Sequence, residues 1–282
     1  LLENLKVVDL TLFQESDRKE VIKFVINKLS FALFDSIPKD KLFDSIDVNY
    51  SNKYYLWIKS MKHTKRNFMV DVYGKKFELP FLRFGTELFH DYGLNSLSKQ
   101  AIDRIKNNDF LDCGASVESS AIILSNFKPK NVYSFEPDIK NYEILLNTIE
   151  SNIMNCVIPI NMGVGGKSCE VQMNMVGNAS EISKTVREKI KIISIDEFAK
   201  IKKLHVGLIK LDVEGYELEV IKGAKKTITK HKSILLISVY HKGQDFFEIP
   251  ILLKKLVPKY KYRFININHD YPYFERLLIA YS

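Results

Sequence analysis

The sequence predicts an α/β fold built on a mostly parallel sheet, and three observations carry that reading. From Phe110 onward, short apolar runs alternate regularly with amphipathic ones, the pattern of strands joined by crossover helices. The run from Asp109 to Ser120, D-F-L-D-C-G-A-S-V-E-S-S, reads as an apolar strand, a turn through Gly114 and Ala115, and a helix starting near Ser116 or Val117. That unit aims free backbone N–H groups at a polar ligand. About twenty residues on, a second strand, Asn131 to Phe135, ends at Glu136-Pro137, where nucleotide-binding α/β folds hold ribose hydroxyls with an acid.

Taken in order, residues 1–66 are expected to form a helical N-terminal region, and 67–282 a Rossmann-like domain. Val21, Phe24, Val25, Lys28 and Leu29 make a helical stripe after Asp17, a candidate N-cap, and Ile37-Pro38 breaks the pattern. Leu42, Phe43 and Ile46, then Tyr54 to Ile58 with the sole Trp57, supply further apolar patches that suit core packing, a homodimer contact or an acceptor surface. Met69 to Tyr73, Gly74, and Phe77 to Leu79 read as a β-hairpin. In Gly85 to Gly93, the residues Glu87, His90 and Tyr92 lie just upstream of the glycine turn, either as a lid or as helix caps.

Strands are expected at 109–113, 131–136, 156–161, 205–211, 233–239, 260–267 and 274–281, with the final pair antiparallel. Helices fall near 117–126, 138–152, 215–230 and 245–257, and an insertion spans 163–200. Right-handed crossovers put the first and fourth core strands side by side, with the topological switch between them. Gly114 and Asp212 then share one crevice.

The chain has 282 residues and a net charge of +8, carried mostly by scattered lysines. Such a balance suits a solvated surface, phosphate-bearing substrates or peripheral contact with an anionic membrane. No aromatic-interleaved basic stretch points to nucleic acid. No run of about eighteen apolar residues predicts a membrane span, and the first residues lack a signal-peptide layout. Cys113, Cys156 and Cys169 have neither metal-ligand spacing nor the look of a disulfide framework, so the expected compartment is the reducing cytoplasm.

One further stretch narrows the class. Leu208 to Ala224 reads L-I-K-L-D-V-E-G-Y-E-L-E-V-I-K-G-A, a buried strand that delivers Asp212, then Glu214 and Gly215, then a helix. With the first glycine turn, Glu136-Pro137, and I-S-I-D-E-F at Ile193 to Phe198, it closely resembles the FkbM family of S-adenosylmethionine-dependent methyltransferases. The resemblance runs from about Phe68 to the C-terminus. It implies a class I methyltransferase fold with a seven-stranded sheet, and S-adenosyl-L-methionine as cofactor.

It also implies contacts. Gly114 and Ala115 let the backbone approach the methionine end and ribose, and helix N–H groups after Ser116 favour the cofactor carboxylate. Asp112 either orients the turn or binds the ammonium group. Glu136, beside Pro137, accepts from both ribose hydroxyls. Met162, Gly163 and Val164, in the loop after the third core strand, enclose adenine. Asp196 matches a family aspartate, and capping its own short helix explains it as well. The sequence departs from the usual D-x-G-A-N-x-G, with Ser116 for the asparagine and Glu118 for the second glycine. A carboxylate at Glu118 that pointed inward would repel the cofactor carboxylate.

The chemistry implied is displacement at a sulfonium methyl by an acceptor oxygen on a sugar or glycan precursor. A hydroxyl is a poor nucleophile at neutral pH, so a base or a metal is expected nearby. Asp212 is the first candidate for orienting or deprotonating the acceptor, His241 in S-V-Y-H the second, and Glu214 the third. No motif demands a metal ion. The rivals are a non-catalytic scaffold working through the N-terminal helices and a nicotinamide-dependent oxidoreductase, which wants a fuller G-x-G-x-x-G than Ala115 to Ser119 offers.

Overall fold

The computed structural model describes residues 9–34, 45–59, 62–63, 67–72, 74–79, 90–115, 119–175, 186–268 and 276–282. Two helices, α1 (Glu15–Phe34) and α2 (Ser45–Lys59), precede a small antiparallel sheet of β1 (Lys62–His63), β2 (Phe68–Val72) and β3 (Lys75–Leu79). A 3-10 segment (Asp91–Ser96) and α3 (Lys99–Ile105) lead into the main layer. There β4 (Asp109–Cys113), α4 (Ser119–Asn126), β5 (Val132–Phe135), α5 (Ile139–Ser151) and β6 (Val157–Ile160) alternate. The insertion holds β7 (Gly163–Val164), β8 (Cys169–Met175), β9 (Val186–Ile193) and α6 (Ile195–Lys202). Then come β10 (Val206–Leu211), α7 (Glu217–Lys222), α8 (Lys225–His231), β11 (Ile234–Ser238), α9 (Asp245–Leu256), β12 (Lys261–Asn266) and β13 (Arg276–Tyr281).

The seven strands of the main sheet run in the order β6-β5-β4-β10-β11-β13-β12. The five from β6 to β11 are parallel, and β13 lies antiparallel between β11 and β12. This is the class I methyltransferase architecture, and the expected strands fall where the sequence puts them. Every residue of β4, β5, β10 and β11 is buried. Strands covered on both faces need apolar runs rather than alternation, and apart from Asp109, Asp112, Ser134, Lys210 and Ser238 these four read so. The chain leaves β4 toward β5 and β6, then returns to lay β10 against the other side of β4, so the switch point opens between those two strands.

Helix α1 covers the β12 end of the sheet. Val21 and Phe24 are buried in the same apolar cluster as the strands, with the Phe24 ring 5.5 Å from Phe264 and 5.3 Å from Phe246. Asp17 does not cap this helix as the sequence suggests, because the helix already starts at Glu15. Its buried carboxylate instead takes two hydrogen bonds from Arg263, at 2.6 and 3.0 Å, and one from the Phe264 N–H at 3.0 Å. A bidentate arginine pair at a partly buried site is the stronger use of that acid. Leu42, Phe43 and the Ile37-Pro38 break lie outside the described residues.

The helix expected over 215–230 is two helices, α7 and α8. A Cβ at Gly223 would lie 2.3 Å from the Gly165 carbonyl oxygen, so the backbone of the insertion presses in at the break. Asp196 is the clamp. Its own helix α6 is capped by Ser194, while its carboxylate accepts from the Lys226 and Thr227 N–H groups and so caps α8 from outside. The helix after the glycine turn is described from Ser119 to Asn126, and residues 116–118 lie outside the described residues.

Candidate active site

The first wall of the site is the turn after β4. Gly114 and Ala115 both donate their N–H to the Phe135 carbonyl, at 3.1 and 2.9 Å, which pins the turn to the end of β5. The Asp212 N–H donates to the Cys113 carbonyl at 3.0 Å, tying the end of β10 to the same turn. Gly114 has φ +80°, and a Cβ there would fall 1.8 Å from the Asp212 carbonyl oxygen. Only glycine fits a left-handed position closed by backbone.

Beneath the turn lies a row of polar side chains at matched register: Ser134 on β5, Asp112 on β4 and Lys210 on β10. Asp112 is fully buried, and its Oδ2 accepts from Ser120 at 2.7 Å and Ser134 at 3.2 Å. The Lys210 ammonium sits 3.3 Å from Asp112 Oδ1, donates to the Gly114 carbonyl at 2.8 Å, and lies 5.3 Å from the centre of the Tyr92 ring. Burial works against its charge, but Asp112 and then Asp212 outweigh it and hold the lysine above its ordinary range. Asp112 therefore braces the turn from below. The motif alone assigns Lys210 no role; its signal in the sequence is a cation inside an otherwise apolar strand.

The second wall is the end of β5. Glu136 is buried, its N–H donates to the Ile160 carbonyl at 3.0 Å, and its Oε1 accepts from the Asp138 N–H at 3.0 Å. Asn161 donates to the carbonyls of Glu136 and Pro137, at 3.0 and 3.2 Å, joining this corner to the loop after β6. In that loop Met162 packs on the core, and a Cβ at Gly163 would approach Pro137 to 3.7 Å. The predicted residues Asp112, Gly114, Ala115, Glu136, Pro137, Met162 and Gly163 thus line consecutive strand ends. Ser116, Glu118 and Glu87 lie outside the described residues. A left-handed glycine turn pinned to both neighbouring strand ends, an acid at the end of β5 and a thioether beyond it fit a nucleoside cofactor.

The third wall carries the charge. After β10 the chain turns through Glu214 (φ 53°) and Gly215 (φ +91°) into α7, while β11 ends at Ser238 and leads to His241. His241 Nε2 lies 3.7 Å from Asp212 Oδ1 and 3.3 Å from Glu214 Oε2. Its Nδ1 lies 2.9 Å from Oε1 of Glu217, which also accepts the Val213 N–H at 3.0 Å. Side-chain exposure separates the acids: Glu217 is sealed at 0%, Asp212 is reachable at 25%, and Glu214 is open at 89%. Burial opposes a charge on His241, but the hydrogen bond and charge of Glu217, then Asp212 and Glu214, raise its pKa. Burial likewise opposes ionisation of Glu217, and His241 overrides it and lowers that pKa.

Asp212, Glu217 and His241 also bring one ligand atom each within 4.8 Å of one another, a spacing that could hold a divalent ion. The Glu217 oxygen nearest the imidazole already accepts the Val213 N–H. Glu217, like Lys210, has no role that the motif alone reveals; what marks it is an acid in the first turn of a helix that follows a strand-end aspartate.

Among the described residues no helix is long and apolar enough to cross a membrane. The model of the methyltransferase FkbM domain matches residues 112–264. Among curated proteins, the hexuronic acid methyltransferase AglP of Haloferax volcanii is 24% identical over 185 residues, covering 64% of this chain and 75% of that one. Among solved structures, the methyltransferase FkbM of Methylobacillus flagellatus aligns with 26% identity and a TM-score of 0.49, over 62% of this chain and 44% of that one. TYW2 of M. jannaschii, solved with AdoMet, aligns with 18% identity and a TM-score of 0.41, over 78% of this chain and 87% of that one.

Proposed function

The chain belongs to the methyltransferase FkbM family, whose methyl donor is S-adenosylmethionine, and from that premise we propose that it methylates a hydroxyl of a sugar or glycan precursor. The observation that carries the proposal is the meeting of two strand ends. The Gly114 turn, suited to the donor, touches the backbone of Asp212, whose carboxylate belongs to a cluster suited to an acceptor. The name of the Haloferax volcanii relative, a hexuronic acid methyltransferase, supports a sugar as acceptor.

S-adenosylmethionine supplies a sulfonium-bound methyl group that needs no further activation. Gly114, Ala115 and Ser116 would hold its methionine part, Glu136 its ribose hydroxyls, and Pro137, Met162 and Gly163 its base. Asp212, the partly exposed acid nearest the glycine turn, orients the acceptor hydroxyl. His241 takes the hydroxyl proton on Nε2, and Glu214 steadies the resulting imidazolium. Holding the oxygen in line with the methyl carbon while excluding water accounts for most of the rate. A nicotinamide-dependent oxidoreductase fits less well, because the antiparallel β13 between β11 and β12 departs from the dinucleotide-binding strand order.

The test is transfer of an isotope-labelled methyl group to a panel of uronic acids, neutral sugars and sugar nucleotides, read by mass spectrometry. Asp212→Asn is expected to abolish transfer while S-adenosylhomocysteine still binds in a calorimetric titration. No labelled product on any sugar, with the cofactor bound, would remove the acceptor assignment. No binding of the cofactor at millimolar concentration would favour the scaffold reading.

A further inference from the structure

Behind His241 lies a pair of sealed acids that the methyl-transfer reading does not use. Glu217 is 0% exposed and Asp245 1% exposed. Glu217 stands in the first turn of α7, Asp245 in the first turn of α9. Glu217 Oε2 and both Asp245 carboxylate oxygens are buried acceptors with no hydrogen-bond donor. Two ionised carboxylates cannot stay together in a dry pocket at small cost. A proton on Asp245 would ease the problem, because it removes one of the two charges and gives that group a donor beside the Glu217 charge. Burial, and then the Glu217 charge, push the Asp245 pKa up to about 6, the direction such proton retention requires.

We infer that Glu217, backed by Asp245, is a positioning residue that holds the Nδ1–H of His241 and thereby turns its Nε2 toward Asp212 and Glu214 as the proton acceptor of the methyl transfer. The inference rests on the proposed methyl-transfer function. In the step it serves, the acceptor oxygen forms its bond to the methyl carbon as the carbon–sulfur bond breaks. The hydroxyl proton passes to Nε2 and the sulfur leaves as a neutral thioether. The imidazolium so formed faces Glu217 from α7 and Asp212 and Glu214 from the turn after β10. Around it stand the neighbouring Tyr240 ring at 4.1 Å, Lys242 on its own loop, and Asp245 behind Glu217. The same carboxylate that fixes the tautomer thus stabilises the charged product of proton transfer.

A divalent ion held by Asp212, Glu217 and His241 is the rival use of the cluster. An ion on the His241 nitrogen that faces Asp212 would occupy the lone pair that the proton-accepting arrangement needs, so the two uses exclude each other.

The experiment combines nitrogen-15 NMR of the His241 ring in the full chain, without substrate, with pH–rate profiles. In wild type above the His241 pKa, Nδ1 is expected to carry the proton. Glu217→Gln still offers an oxygen to Nδ1–H but no charge. It should keep the tautomer, lower the His241 pKa, and shift the acid limb of the kcat profile to lower pH. Glu217→Leu should scramble the tautomer and cut kcat by about 10²–10⁴-fold, the range of general-base loss, with KM little changed. A His241 tautomer and pKa indifferent to both substitutions would overturn the inference. So would broadening of the His241 signals by manganese together with loss of activity to a chelator, which would award the cluster to a metal. The ring signals need no turnover, so they stand even if the acceptor assignment fails.

Discussion

Gly114 and Asp212 meet backbone to backbone, with room for no carbon between the glycine Cα and the aspartate carbonyl oxygen. The donor turn and the acceptor strand end therefore behave as one rigid piece. Gly114→Ala adds a Cβ 1.8 Å from that oxygen at a φ of +80°. The left-handed conformation alone costs about 1–2 kcal/mol, and the clash forces the two strand ends apart. The expected result is a lower melting temperature and at least a tenfold loss of S-adenosylhomocysteine affinity. Wild-type affinity in this variant would show that the turn does not hold the cofactor.

The row under that turn predicts a stability effect. Lys210 and Asp112 have side-chain exposures of 3% and 0%, so removing the cation strands a buried carboxylate. Lys210→Met is expected to destabilise the protein by about 3–5 kcal/mol in chemical denaturation, the usual cost of breaking a sealed pair from one side. The double variant Lys210→Met with Asp112→Asn should recover a large part, since the uncompensated charge is gone. Equal stability of single and double variants would mean the pair contributes only packing.

How much of this was legible in the chain depends on how local the physics is. The strand set follows from apolar runs, and right-handed crossovers alone lay β4 beside β10, so the sequence already puts Gly114 and Asp212 in one crevice; the place of β13 between β11 and β12 does not follow from them. Residues serving partners far away in sequence were read through their neighbours instead. Asp17 looks like a helix cap until Arg263 reaches it, and Asp196 like a cap for its own helix until α8 packs on it. The break at Gly223 is set by contact with Gly165 and Gly166, which no local propensity reveals. Lys210 and Glu217 are the clearest cases. Both stand within the most specific motif, yet a buried charge declares its role only when the opposite charge is located.

Glu136 offers a direct reading of the cofactor corner. Its carboxylate is buried at the end of β5, with Oε1 taking the Asp138 N–H. Glu136→Ala removes the acid proposed to accept the ribose hydroxyls. Charge-assisted hydrogen bonds of this kind make the expected loss of S-adenosylhomocysteine affinity about ten- to a hundredfold, read by calorimetry. Unchanged affinity would take Glu136 out of the site and leave it as a loop brace.

Asp245 couples the acid pair to the pH dependence of stability. Burial, and then Glu217, raise its carboxyl from 3.8 to about 6 in the folded chain. A group whose folded pKa is raised contributes fully below its unfolded pKa, and the contribution is lost as pH rises through the folded value. Wild-type stability should therefore fall between about pH 4 and 6 on account of this residue and level off above. A shift of that size corresponds to roughly 2–3 kcal/mol. Asp245→Asn presents a permanent N–H donor to Glu217 and carries no ionisable proton. Its stability relative to wild type should rise across the same window and then plateau, as measured by denaturation at stepped pH. If the difference between the two proteins were constant from pH 4 to 8, the acids would not share a proton, and Glu217 would hold His241 without help from behind.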